Sequence, residues 1–248
     1  MPNPLQRLIA GFESFRREYF ERRPSLFEGL VQDGQRPKVL VIACSDSRVD
    51  PAILTRSRPG DLFTVRNVAA IVPPYVPDGR PRGTSSAVEF GVRGLEVEHL
   101  VVLGHAMCGG MRALAEPPGN RFEFLSDWVE IASEARDAVD RAGLTGEARQ
   151  IALEQAGVLC SLRNLLTFPW IRDRVETGRL VLHGWYFGLR HGELLAFDPT
   201  EGRFVAVRGR ARPFGPHPEA CEAGCGCGPM PNLDRFAQTV AADPAAAA

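Results

Sequence analysis

The chain has 248 residues, with 29 Lys and Arg against 30 Asp and Glu, a formal charge of −1 and a pI near 6.5. Phosphate backbones and acidic headgroups select basic surfaces, so this balance excludes nucleic acid or an anionic membrane as the main partner. With 44% hydrophobic residues the chain supports one sizeable core in one or two domains, and 25 Gly with 20 Pro mark it as loop-rich but ordered. No apolar run approaches the roughly 20 residues that cross a bilayer. Residues 1–24 hold no apolar stretch followed by a small-residue cleavage site, so a cytoplasmic location is expected. In that reducing compartment the six cysteines are thiols or metal ligands rather than a disulfide framework.

Leu5, Leu8, Ile9, Phe12, Phe15 and Tyr19 recur at helical spacing among charged residues and predict an amphipathic helix over 5–19. After the break at 34–37, KVLVIAC (38–44) is too short for a helix and rich in Val and Ile, as in a strand buried on both faces. The turn signature at 58–60 leads into DLFTVRN (61–67), a second strand, and then into a Pro-rich loop at 72–83. Thr84 and Ser85 cap a helix over 86–94, and EHLVVLGH (98–105) reads as a third strand. Residues 122–178 turn helical, broken at 143–146 and at 168–169, with Cys160 placed in the core; RLVLHGWYF (179–187) and ELLAFD (193–198) supply two more strands.

Strands alternating with helices imply an α/β fold: a mostly parallel central sheet flanked by helices, with an N-terminal helical arm. The expected strand order, in chain numbering, is 2-1-3-4 plus an antiparallel edge strand. The organisation predicted is an arm over 1–34, a catalytic α/β domain over 35–211, and a Cys-, Pro- and Ala-rich flexible tail over 212–248.

No G-x-G-x-x-G follows a strand and no Gly-Lys-Ser/Thr loop occurs, which weakens nucleotide-binding readings. The strand ends carry instead Cys44-Ser45-Asp46-Ser47-Arg48 after the first strand and Gly104-His105-Ala106-Met107-Cys108-Gly109-Gly110 after the third. Open α/β sheets bind ligands outside the carboxyl ends of strands, where successive connections leave in opposite directions. If the second and third strands flank the first, Cys44 faces His105 across that crevice. A lone Cys there is ordinarily a small buried hydrophobe and a lone His an ordinary hydrogen-bonded side chain. Two thiols and an imidazole together are a soft-metal set that favours zinc and leaves one tetrahedral position open. Asp46 and Arg48, at i and i+2 on a strand-like exit, suit a bidentate ion pair, structural by itself but mechanistic beside a metal.

CSDSRV (44–49), RPGDLFTVRNVA (58–69), GTSSAVEFGV (83–92), VVLGHAMCGG (101–110) and SLRNLLTFPWIRDRVETGRLVLHGWYF (161–187) resemble the β-class carbonic anhydrases, over roughly residues 5–207. The resemblance implies one zinc per subunit on Cys44, His105 and Cys108, with Asp46 and Arg48 as the catalytic dyad. It implies Gln35, Phe63, Phe90 and Gly109 in the carbon dioxide pocket, Phe90 departing from the tyrosine of plant-type enzymes, and Val41 in place of the tryptophan of bicarbonate-inhibited members. It implies further a homodimer or multiple of dimers, the N-terminal helix draped over the neighbour and the pocket completed across the interface. The reaction implied is attack of zinc hydroxide on carbon dioxide to give bicarbonate and a proton. A carbonyl sulfide or carbon disulfide hydrolase on the same site is the alternative within enzymes; a non-catalytic zinc-binding assembly protein is the alternative outside them. His217, Cys221, Cys225 and Cys227 match no standard zinc module; a flexible tail without a fixed partner is the simpler reading, a second metal site or a disulfide the other.

Overall fold

A computed structural model describes residues 3–116, 119, 122–207 and 231–243. The chain divides into two compact units, Met1–Arg36 and Pro37–Ala248. The first unit is helical. α1 (Pro4–Arg16) begins at Asn3, whose side chain accepts the Leu5 N–H while Gln6 accepts the Asn3 N–H, a reciprocal cap. Helical backbone continues through a π turn (Arg17–Arg22) and restarts at Pro24 as α2 (Pro24–Asp33), which Gly34 ends at φ +71°. Phe15, Tyr19, Phe20 and Phe27 pack their rings at 4.5–6.3 Å and fold the two helices together. Leu5, Leu8, Ile9 and Phe12 stay exposed. The division at 36/37 lies two residues past the expected boundary and leaves Gln35 with the arm.

Among the described residues of the second unit, β1 (Val39–Cys44), β2 (Leu62–Asn67), β3 (His99–His105), β4 (Val181–Gly188), β5 (Glu193–Asp198) and β6 (Arg203–Ala206) form one sheet ordered β2-β1-β3-β4-β5-β6. The first four strands are mutually parallel, and β5 and β6 are antiparallel additions. β1 and β3 are buried almost throughout, as their unbroken apolar runs require, whereas β2 is an edge strand and half exposed. The expected order 2-1-3-4 is present, but the single antiparallel edge strand is corrected to two. Asp198 accepts the Thr200 and Gly202 N–H groups, and Gly202 at φ +68° turns the chain back into β6. Four residues are too few for a periodicity to register in sequence.

The connections carry α3 (Pro51–Thr55), α4 (Gly83–Glu89), α5 (Gly109–Ala115), α6 (Leu125–Glu130), α7 (Ser133–Arg141), α8 (Gly146–Leu165) and α9 (Pro169–Glu176), and α10 (Leu233–Ala242) follows the last strand. α8 packs on β3 and β4. It lies close because Gly104 has no side chain: a Cβ there would stand 2.5 Å from Val158 Cγ2 and 3.7 Å from the Glu154 carbonyl oxygen.

The expectation of a flexible tail from 212 onward is corrected for residues 231–243. Asn232 caps α10 by accepting the Arg235 N–H, and Leu233, Phe236, Ala237 and Val240 are buried on a helix that packs against α7, α8 and β6. Their spacing is helical, but Pro- and Ala-rich flanks hide it in composition. His217, Cys221, Cys225 and Cys227 lie outside the described residues. Phe236, edge-on to Phe204 of β6, is part of the core. Phe236→Ala should therefore cost about 3–5 kcal/mol in denaturant unfolding; a loose tail would show no change.

Candidate metal centre

Parallel pairing sets the depth of the site. β1 pairs with β2 on one side, Cys44 opposite Asn67, and with β3 on the other, Ala43 opposite Leu103. The connection after β1 leads to β2 and that after β3 leads toward β4, on opposite sides, so the crevice forms at the carboxyl ends of β1 and β3. Cys44 and His105 end these strands, and Cys108 caps α5 after a turn through Met107 at φ +58°. All three are buried, with their ligand atoms within 4.8 Å of one another.

The donor chemistry fits zinc. Cys44 Sγ and Cys108 Sγ are 3.9 Å apart, and two sulfurs at about 2.3 Å from a tetrahedral zinc stand about 3.8 Å apart. His105 Nδ1 lies 2.8 Å from the Ala106 carbonyl oxygen, which assigns its proton to that nitrogen and turns the bare Nε2 inward. Nε2 is buried with no hydrogen-bond partner in the protein. Without a cation the two sulfurs compete for one proton: the bond from Cys108 draws the Cys44 thiol down, and the same contact with burial pushes Cys108 up. Burial opposes a charge on His105, but the neighbouring Cys44 sulfur outweighs it and raises the imidazole. A divalent ion relieves all three groups. The Ala69 N–H also points at Cys44 Sγ at 3.3 Å, from a backbone held at φ +66°.

Beside the triangle, Arg48 donates from Nε to Asp46 Oδ1 (2.9 Å), from Nη2 to Asp46 Oδ2 (2.7 Å) and from its backbone N–H to Oδ1 (2.9 Å). These bonds, chiefly the guanidinium's, hold the carboxyl well below the usual carboxylate range. Nη2 also donates to the Met107 carbonyl, tying the pair to the loop that carries Cys108. Asp46 Oδ2 is 4.0 Å from His105 Nε2.

Two further residues shape the site. Arg66, near the end of β2, donates to the carbonyls of Cys44 (3.0 Å) and Asp46 (2.7 Å) and to Asp50 Oδ2 (2.8 Å), while Asp50 Oδ1 caps α3. Glu154, buried within α8, accepts the Cys108 N–H. Both left signals in sequence: an arginine beside the strand end at the crevice, and an acid inside the apolar stretch IALEQAGVLC.

The expected pocket residues divide. Gly109 follows Cys108 as the first residue of α5. Phe63 and Phe90 pair with ring centroids 5.8 Å apart. Phe63 lies opposite Leu40 in β1, four residues before the level of Cys44, about 13 Å along the strand. Gln35 belongs to the helical unit. Within one chain the structure therefore unites Cys44, His105 and Cys108 with the ion pair and Gly109, but not with the aromatic pair.

A carbonic anhydrase family model matches residues 39–194, which include Cys44, His105, Cys108 and the ion pair. The chain belongs to the β-class carbonic anhydrases. It is 37% identical over 219 residues to a carbonic anhydrase of Synechocystis sp., covering 87% of this chain and 79% of that one. Among solved structures it is similar to the β-carbonic anhydrase CcaA, at 38% identity and TM-score 0.77 over 84% of this chain and 93% of that chain. A tetrameric β-carbonic anhydrase of Sordaria macrospora superimposes at 26% identity and TM-score 0.70, covering 84% of this chain and all of that one. Among the described residues no helix is long and apolar enough to cross a membrane.

If the triangle is the metal site, purified protein should carry one zinc per subunit by elemental analysis, and Cys108→Ala should carry none. A full complement in the variant rejects the assignment.

Proposed function

We propose that this enzyme catalyses the reversible hydration of carbon dioxide to bicarbonate and a proton, with zinc held by Cys44, His105 and Cys108 and with Asp46 and Arg48 as a proton-managing dyad. The observation that carries the reading is the ion-paired Asp46 carboxylate 4.0 Å from the unpartnered His105 nitrogen. Holding zinc alone requires neither side chain of the pair, which argues against an assembly role.

When bound, zinc supplies the Lewis acidity that makes a water molecule nucleophilic near neutral pH. Two thiolates and a neutral imidazole cancel a divalent charge, so this ligand set tempers that acidity relative to three histidines. Arg48 fixes the direction of the Asp46 carboxylate, and Asp46 Oδ2 is the hydrogen-bond acceptor that orients water in the site. The same bidentate grip prevents the carboxylate from turning onto the metal ligands' side. Met107 holds Arg48 in turn through its carbonyl.

Arg48→Ala should retain zinc while losing about 10²–10⁴-fold in rate, the range of a positioned proton acceptor. Freed of Arg48, Asp46 rises toward the ordinary value near 3.9 and is still ionised at neutral pH, so the loss is one of orientation rather than of charge. In the unmodified enzyme the rate should climb from neutral to mildly alkaline pH. A flat or falling profile in fully zinc-loaded protein contradicts the ligand-set argument. Parallel assays with carbon dioxide and carbonyl sulfide distinguish the two hydrolytic readings.

The separation of Phe63 and Phe90 from the metal ligands supports a pocket completed by a second copy. A chain with Phe63→Ala and Phe90→Ala and a chain with Asp46→Asn should each be impaired. Mixing them through dissociation and reassociation should restore activity, because one composite site then has both intact halves. No recovery in verified mixed dimers defeats the shared-pocket reading.

A further inference from the structure

We infer that Glu154 is a positioning residue for the metal centre: its buried carboxylate fixes the backbone of Cys108 and so sets the direction of the Cys108 sulfur. This rests on the zinc assignment above. Glu154 is 2% exposed, on a helix whose neighbouring positions are almost all apolar. A carboxylate in such a place persists only where its oxygens are occupied. Oε1 accepts the Cys108 backbone N–H at 2.9 Å and the Gln150 Nε2–H at 2.7 Å, and Oε2 is 2.7 Å from the Tyr186 phenol oxygen. With two N–H donors on it, Oε1 is an acceptor whether or not the carboxyl carries a proton.

The placement has a traceable cause. Gly104 lets α8 approach β3, with Val158 against it, and Glu154 sits one helical turn earlier. Tyr186 is the register partner of Gly104 on β4, so its ring stands where the hydroxyl reaches Oε2. Gln150, a further turn back, completes the bracket. On the other side, only three residues separate His105 from α5, and this short loop is tied at two amides: Ala106 N–H donates to the Phe187 carbonyl at 2.9 Å, and Cys108 N–H to Glu154. The second tie belongs to the ligand itself. Removing it frees the Cys108 peptide plane, and with it the sulfur from the observed 3.9 Å spacing that suits zinc.

The test compares Glu154→Gln, Glu154→Asp and Glu154→Met. Three quantities are read: zinc affinity by chelator competition, the rise in Tm on adding zinc to stripped protein, and the thiolate-to-metal charge-transfer spectrum of the cobalt-substituted protein. Glutamine keeps an oxygen at the Oε1 position, so Glu154→Gln should bind zinc within a few-fold of the parent and retain its spectrum. Asp is one methylene too short to reach Cys108 and Met offers no acceptor; both should lose about 10–100-fold in affinity, the cost of removing a partner that orients a metal ligand. Both should also show a diminished zinc-dependent Tm rise and an altered cobalt spectrum. A merely structural role would lower the Tm of stripped protein without changing the increment due to zinc. If Glu154→Met does not fold, the Gln and Asp variants decide alone. Parental affinity and spectrum in Glu154→Asp overturn the inference, and so does equal loss in Glu154→Gln. If the unmodified protein binds no zinc, the metal assignment fails instead.

Discussion

Two buried sulfurs 3.9 Å apart and an imidazole nitrogen that no protein group satisfies impose the condition around which the rest of this structure is arranged. Each is costly alone: the sulfurs cannot both ionise at that distance without a cation, and a buried nitrogen acceptor without a donor loses the hydrogen bond it had to water. One tetrahedral divalent ion removes all of these penalties together. The parallel sheet is what brings the three atoms together, because β1 and β3 end side by side and their onward connections depart in opposite directions.

Around that centre the chain supplies donors in graded layers. The Ala69 N–H faces Cys44 directly. Arg66 fastens the Cys44–Asp50 turn through two carbonyls and one carboxylate, leaving Arg48 free to hold Asp46. Glu154 has the opposite polarity, an acceptor for the amide of Cys108, and depends on the close approach of α8 at Gly104. Strain is tolerated at Ala69 and Met107, both at positive φ, where the backbone must turn sharply to aim a donor or a thiol.

The aromatic pair Phe63–Phe90 stands apart from the Cys-His-Cys cluster. Phe63 and Phe90 pack together near the start of β2, while Cys44 ends β1 and His105 ends β3, so the ring pair and the cluster lie at different levels of the same sheet. The proposed two-fold assembly would bring the ring pair of one copy to the cluster of the other, since each copy offers the same pair of surfaces.

The sequence by itself determined the strand run of the parallel sheet, the Cys44–His105–Cys108 cluster, the Asp46–Arg48 ion pair and the family. These rest on short, locally encoded features: apolar runs too brief for helices, and side chains placed immediately after them. Tertiary structure alone decided β6, the packing of α10, and the roles of Arg66 and Glu154. β6 depends on a hairpin closed by Asp198 and Gly202, and α10 on a core surface built by α7, α8 and Phe204, none of them adjacent to α10 in sequence. Arg66 and Glu154 reach partners 16–22 and 46 positions away in the sequence. The difference is physical: periodicity and strand-end chemistry are written within a few residues, whereas a buried polar contact exists only once the sheet register and the approach of a helix bring donor and acceptor to 3 Å.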